Sequence, residues 1–125
     1  MKLKLIPFVV LLIITILLTG CNEEKNKKKY DSAINQVITL ENKYLQKEKI
    51  FSDTQILKRE DTGIIVFKDG KFIELIYDVS GKQIESLYKR DIDNNYKRYP
   101  NTKEELEKVD KDLKIIDYTE NIGLK

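Results

Sequence analysis

Two turn dipeptides constrain the fold of this chain more than any other feature of its sequence. Asp69-Gly70 and Ser80-Gly81 divide a mainly apolar stretch into segments in which side chains alternate between two faces. Such dipeptides favour two-residue hairpin turns, because they tolerate the positive φ angles that those turns require. We therefore predict an antiparallel meander. Its strands are residues 63–68, 71–79, 82–90 and 96–99, with a weaker first strand at 54–60.

The first turn also sets the register of the sheet. If Asp69-Gly70 is the loop, Val66 lies opposite Ile73 on a face that is apolar away from the turn. We expect this face to pack against a helix. The other face is too apolar to be fully solvated, so it is a candidate interaction face, unless another segment covers it. Its residues are Ile65, Phe67, Phe72 and Ile76.

Two helices are predicted, one on each side of the meander. Residues 31–49 carry one apolar stripe at helical spacing, and Asp31 or Ser32 is suited to cap the first turn. Downstream, Thr102 and Glu105 form a capping box, which predicts a short helix over 103–112 that covers part of the second sheet face. Ile115, Ile116 and Tyr118 add a final strand or a docked tail. The chain is thus predicted to be α+β, with one N-terminal helix on a curved antiparallel sheet of 4–5 strands.

The N-terminus has the three-part organisation of an exported signal peptide. Lys2 and Lys4 precede an apolar run over 5–18, and the small residues Thr19 and Gly20 close it. The run is shorter than the roughly 20 residues that a membrane span needs. We therefore predict that residues 1–20 are removed during export.

Leu18-Thr19-Gly20-Cys21 resembles the lipobox of bacterial lipoproteins. The resemblance implies cleavage between Gly20 and Cys21, a covalent diacylglycerol on Cys21, and a lipid-anchored location on the outer face of the cell membrane. Two acyl chains would hold the protein there almost permanently. The alternative is an uncleaved membrane anchor in which the cysteine occurs by chance. The remaining chain is predicted to comprise a polar tether at 21–29, a domain at 30–100 and a C-terminal segment at 101–125.

The residue types that are missing restrict the chemistry of the chain. Its 125 residues include no His, no Trp and one Cys. Catalytic Ser-His-Asp and Cys-His sets cannot form, and lipidation would consume the only thiol. Zinc sites draw mainly on Cys and His, so we predict no metal site and no cofactor beyond the diacylglycerol. Removal of Lys2 and Lys4 leaves equal numbers of acidic and basic side chains, which gives no support for nucleic-acid binding.

Four segments of the chain are similar to staphylococcal lipoproteins of the DUF4467 group. They are residues 40–45, 57–62, 71–72 and 96–98, and the resemblance extends over about residues 21 to 100. It implies a cystatin-like fold, in which one helix packs on a curved antiparallel sheet. Cystatin inhibitors use a Gln-x-Val-x-Gly loop and a Trp-bearing loop. Residues 55–59 lack the Val and the Gly and the chain has no Trp, so the resemblance does not predict protease inhibition.

Other polar features favour ordinary structural roles. Residues 91–95 resemble the start of a calcium loop, but Tyr96 and Thr102 replace the required Gly and Glu, so a polar turn is predicted. Tyr88 and Tyr99 are strand residues in our interpretation, with a shared pocket as the alternative. The many carboxylates show no spacing that singles out a catalytic pair.

These observations favour a binding module over an enzyme. The leading hypothesis is a tethered domain that binds another envelope component, either an unknown protein or a second copy of the chain. One alternative is a carrier that holds a small molecule or peptide in a pocket between helix and sheet. Another is a carboxylate-based envelope hydrolase, which needs two carboxyl groups held close in a cleft.

Overall fold

The computed structural model describes the backbone of residues 6–123 and the side chains of residues 25–123. A long helix packs on a five-stranded antiparallel sheet of order β4-β3-β2-β1-β5. The elements are α1 (Ile6–Lys47), β1 (Gly63–Phe67), β2 (Phe72–Val79), β3 (Lys82–Arg90), β4 (Tyr96–Tyr99), α2 (Lys103–Lys108) and β5 (Ile116–Glu120). The predicted α+β fold is therefore confirmed.

The register predicted from the first turn is also confirmed. Val66 pairs with Ile73 across β1 and β2, as the Asp69-Gly70 loop requires. The second turn has two left-handed residues, Ser80 at φ 52° and Gly81 at φ 83°. Both hairpins therefore follow from local turn chemistry, and the two faces of the sheet have the residues that the sequence assigned to them.

Helix α1 begins much earlier than predicted. It continues through residues 22–29 and back to Ile6, so Asp31 is an interior residue and not a cap. The charged segment favours this extension, because its glutamates precede lysines by four residues and no Gly or Pro interrupts it. At the other end the helix stops at Lys47, and Lys49 adopts a positive φ of 60°. Within the part of the chain that is described, no helix has both the length and the apolar content that crossing a membrane requires.

The weak strand predicted at 54–60 is wrong. This segment is a loop that ends in a 3-10 turn at Arg59–Asp61. The side chain of Asn42 holds the loop against α1, since it accepts from Leu57 N at 2.7 Å and donates to Leu57 O at 3.1 Å. Strand β5 pairs with β1 and so occupies the sheet edge next to it.

Each face of the sheet has its own apolar core. On the α1 side, Ile34 and Val37 pack with inward residues of β1 and β2. On the opposite side, which we call the outer face, Leu106 and neighbouring residues cover Phe67, Phe72 and Leu87. The predicted cap of α2 is confirmed, because Thr102 accepts from Glu105 N at 3.3 Å, although the helix ends before 112.

Candidate functional site

The candidate interaction face is only partly accessible. Phe67 and Phe72 are 6% and 0% exposed, because the C-terminal segment packs over them. These two residues are therefore core residues of the chain itself and not a free surface. Ile65 and Ile76 are half-buried, so the accessible part of the outer face lies around them.

An open groove of about 530 Å³ lies at the end of the outer face that Leu106, Val109 and Leu113 leave uncovered. Gly63 and Ile76 pair across β1 and β2 to form its floor, and Ile122 forms a wall. A Cβ at position 63 would lie 3.3 Å from Ile122 Cδ1, so the glycine keeps the floor open. The volume falls within the roughly 300–1,000 Å³ typical of small-ligand sites.

The rim of the groove is acidic. Glu60, Asp61 and Asp78 line it together with the neutral side chains of Gln83 and Asn121. Their negative charge disfavours an anionic ligand at this end of the domain. Across the described side chains, no three carboxylates converge closely enough to hold a metal ion.

A pair of carboxyl groups, Glu74 and Glu85, lies on the outer face beside the groove. Glu85 is the sheet partner of Ile76, and Gln83 Nε2 donates to its Oε2 at 2.9 Å. Burial and the neighbouring Glu85 carboxyl raise the pKa of Glu74 to about 7. Both causes disfavour the charged form, since it loses water and meets a second negative charge. The sequence did not single out this pair, although Glu74 interrupts an otherwise apolar face.

We expect a Glu74→Gln substitution to stabilise the protein at alkaline pH. Folded Glu74 holds its proton more tightly than the unfolded group does, at its usual pKa of 4.5. The contribution of Glu74 to the free energy of unfolding must therefore fall as pH rises from about 4.5 to about 7 and stay low above that range. Allowing for partial exposure, we expect a gain of about 1–2 kcal/mol at about pH 8 and little change at about pH 4.

Urea unfolding at both pH values measures this effect. The chain has no histidine, so few other groups titrate in this window. Glu104→Gln is the matched control, since Glu104 is exposed on α2. Equal gains at the two pH values, or the same gain in the control, would contradict the prediction.

A second polar cluster lies under α1, around the fully buried Glu41. Its carboxylate accepts from Ser86 Oγ at 2.5 Å, from Tyr88 Oη at 2.6 Å and from the hydroxyl of Tyr77. Arg98 Nη2 lies 3.5 Å from the same carboxylate. Sequence reasoning missed this residue, although a carboxylate within the apolar stripe of a helix was a usable signal.

The arrangement around Glu41 suits a structural role. Burial, then the contact with Glu41, raises the pKa of Tyr77 and of Tyr88, so both hydroxyls stay protonated and can donate. The guanidinium of Arg98 stacks on Tyr44 at 3.6 Å from the ring centroid and closes the cluster toward solvent. Among the described side chains, no buried polar atom lacks a hydrogen-bond partner. The cluster therefore ties α1 to the sheet and leaves no buried donor for a ligand.

Tyr88 and Tyr99 do not flank one pocket. Tyr88 reaches Glu41 on the inner face, whereas Tyr99 lies on the outer face with its ring centroid 5.7 Å from that of Phe72. Their register explains this, because Tyr99 pairs with Leu87 and not with Tyr88.

The predicted polar turn at 91–95 is present, with Asp91 Oδ1 accepting from the backbone N of Asp93 and of Asn95.

The predicted cleavage and lipidation site lies outside the described side chains. Gly20 and Cys21 belong to the part of α1 for which only the backbone is described, and residues 1–5 are not described at all. Cleavage and lipidation thus stay predictions. No family model, curated protein or solved structure matches this chain. The resemblance to lipoproteins of the DUF4467 group therefore also stays a prediction.

Proposed function

We propose that this chain is a membrane-anchored extracytoplasmic binding module, held by a diacylglycerol on Cys21, that binds another envelope component in the outer-face groove. The observation that carries the proposal is the groove itself. It joins an apolar floor and wall, Ile76 and Ile122, to a polar rim in a volume of about 530 Å³. A concave apolar surface with a few polar groups at its edge is the usual form of a binding site.

The covering of the rest of the outer face supports this choice of site. Leu106, Val109 and Leu113 pack over Phe72 and its neighbours, so the chain buries that apolar surface itself. Ile122, by contrast, is 51% exposed beside the groove. Ile122 and the half-buried Ile76 thus give the groove an apolar surface that a ligand could bury.

The two alternatives have less support. A carrier with a pocket between helix and sheet needs space there, but Ile34, Val37 and Leu75 fill that interface and are fully buried. A retaining hydrolase needs two carboxyl groups about 5–5.5 Å apart across its substrate. Glu74 and Glu85 instead lie beside each other on the sheet surface, where Glu74 pairs with Leu87 and Glu85 with Ile76, and neither of them lines the groove.

The anchor is supported by the sequence of the leader, and the continuity of α1 gives the distance between Cys21 and the domain. The cationic start, the apolar run and the small residues before Cys21 are typical of an exported lipoprotein. Helix α1 spans both Cys21 and Tyr30. At 1.5 Å per residue, the nine-residue separation corresponds to about 14 Å. The anchor would thus hold the domain close to the membrane.

Photo-crosslinking in intact cells tests the proposal. We expect a crosslinking residue at Gln83, in the groove, to give a discrete adduct in the membrane fraction, whereas one at Glu104, on α2, gives none. A Gly63→Val chain should lose the adduct, because the added side chain occupies the groove floor and meets Ile122. A Cys21→Ala chain should carry no lipid and should no longer be processed between residues 20 and 21. Equal adducts at the two positions would contradict the groove, and unchanged processing and membrane retention of Cys21→Ala would contradict the anchor.

A further inference from the structure

The end of the sheet opposite the groove has three exposed apolar tips. It contains the chain reversals at 68–71 and 91–95 and the start of β5, and we call it the turn end. Ile92 is 97% exposed at the tip of its turn, while Ile115 and Ile116 are 42% and 56% exposed. The turn around Ile92 is well ordered by the Asp91 side chain, so this isoleucine is held outward by a fixed backbone. Three large aliphatic side chains facing water at one end of a small domain suggest a partner there.

Positive charge surrounds these tips. Three aspartates of the turn end already lie near lysines: Asp69 is 2.7 Å from Lys29, Asp112 is 2.8 Å from Lys71, and Asp91 is 3.8 Å from Lys97. Further basic residues at this end or in the adjoining turn of α1 are Lys25, Lys27, Lys28, Lys68, Arg90 and Lys114. The other acids are Asp93 and Asp117, Asp110 next to Lys114, and Glu23 and Glu24 in the same segment of α1 as Lys25, Lys27 and Lys28. Basic residues therefore slightly outnumber acidic ones at the turn end, whereas the groove end is acidic.

Helix α1 reaches the domain at this same end. Lys29 Nζ and Tyr30 Oη both donate to Asp69 Oδ1 in the first turn, at 2.7 and 3.0 Å. The helix therefore links Cys21 to the turn end by a short connection. Apolar tips surrounded by lysines, beside a lipid attachment point, match the chemistry of a bilayer surface that contains anionic lipid.

We propose that the turn end rests on the membrane, with Ile92, Ile115 and Ile116 in the headgroup layer and the lysines on anionic headgroups. This inference rests on the proposed lipid anchor at Cys21. It gives the domain a fixed orientation, in which the acidic groove faces away from the membrane and is open to its ligand.

The absence of tryptophan from the chain allows a direct test with a single fluorescent reporter. The Ile92→Trp chain, made in a bacterium that processes lipoproteins, is purified in its lipidated form and reconstituted into phosphatidylglycerol vesicles with brominated acyl chains. Ile56→Trp is the matched control, because Ile56 is 64% exposed in the loop after α1, away from the turn end. We expect the emission of Ile92→Trp to shift to the blue and to be quenched about threefold more than that of the control.

A second set of measurements varies the lipid composition of the vesicles and the lysines of the turn end. Quenching of Ile92→Trp should fall in phosphatidylcholine vesicles and in a chain that also carries Lys68→Gln and Lys114→Gln. If the chain floats with the vesicles but both reporters behave as in water, the inference is overturned while the anchor stands. If the chain does not float with the vesicles, the anchor is wrong and the inference fails with it. Equal quenching of the two reporters would also overturn it, because it would mean that the domain has no fixed orientation.

Discussion

Replacing Glu41 by alanine is expected to lower the free energy of unfolding by about 3–5 kcal/mol, because it removes the shared acceptor of a buried network. The hydroxyls of Tyr77, Ser86 and Tyr88 would lose their partner, and all three side chains are buried. Arg98 would lose the carboxylate that lies 3.5 Å away. The substitution also leaves a cavity under α1, which adds to the cost.

A Glu41→Gln substitution separates charge from shape. The amide oxygen can still accept, but the amide nitrogen donates and so opposes hydroxyl groups that already donate to that position. We expect a loss of about 1–3 kcal/mol, smaller than for alanine. Urea unfolding of both variants measures these values. A double-mutant cycle of Glu41→Gln with Tyr88→Phe should give a coupling energy clearly different from zero.

A small effect of Glu41→Ala on the free energy of unfolding would contradict this role of the buried network. If Glu41→Ala costs less than about 1 kcal/mol, the carboxylate does not hold α1 on the sheet and the cluster is free for another role. Lys43→Ala is a suitable control on the same helix, because Lys43 is exposed. A loss in the control as large as that of Glu41→Ala would point to the helix in general and not to the buried network.

The fold could be predicted from the sequence where local chemistry decides it. Asp69-Gly70 and Ser80-Gly81 set both hairpins without help from distant residues, and Thr102 caps α2 through a residue three positions away. The prediction of a strand at 54–60 was wrong because contacts with residues distant in sequence decide the conformation of this segment. Leu57 is held by Asn42, and the edge of β1 pairs with β5. Several segments that are distant in sequence could pair with the same edge strand, and a local sequence pattern does not decide which of them does so.

The site was harder to predict than the fold for the same reason. Glu41 and Glu74 each interrupt an apolar pattern, so the sequence contains a signal for both residues. Their partners, however, are fixed only by register and by the crossing of α1 over the sheet. The alternation along the strands places Ile65, Phe67, Phe72 and Ile76 on one face, but only packing decides which part of that face the C-terminal segment covers.

A Phe72→Ala substitution tests this division of the outer face, and we expect it to cost about 3–4 kcal/mol of stability. Phe72 is fully buried, and its ring packs edge-on against that of Tyr99 beneath the C-terminal segment. Ile76→Ala, on the same strand and the same face, is the matched control. Ile76 is only half-buried, so the loss should be about 1–2 kcal/mol.

The two variants should also differ in binding. Ile76→Ala removes part of the groove floor, so its folded chain should lose the adduct formed from Gln83. Phe72→Ala should keep that adduct at temperatures where it remains folded, because Phe72 does not line the groove. Thermal unfolding followed by circular dichroism, together with the crosslinking yield, separates the two effects. A Phe72→Ala chain that stays stable but no longer forms the adduct would show that the covered surface opens to bind, and the interaction face would then include Phe67 and Phe72 after all.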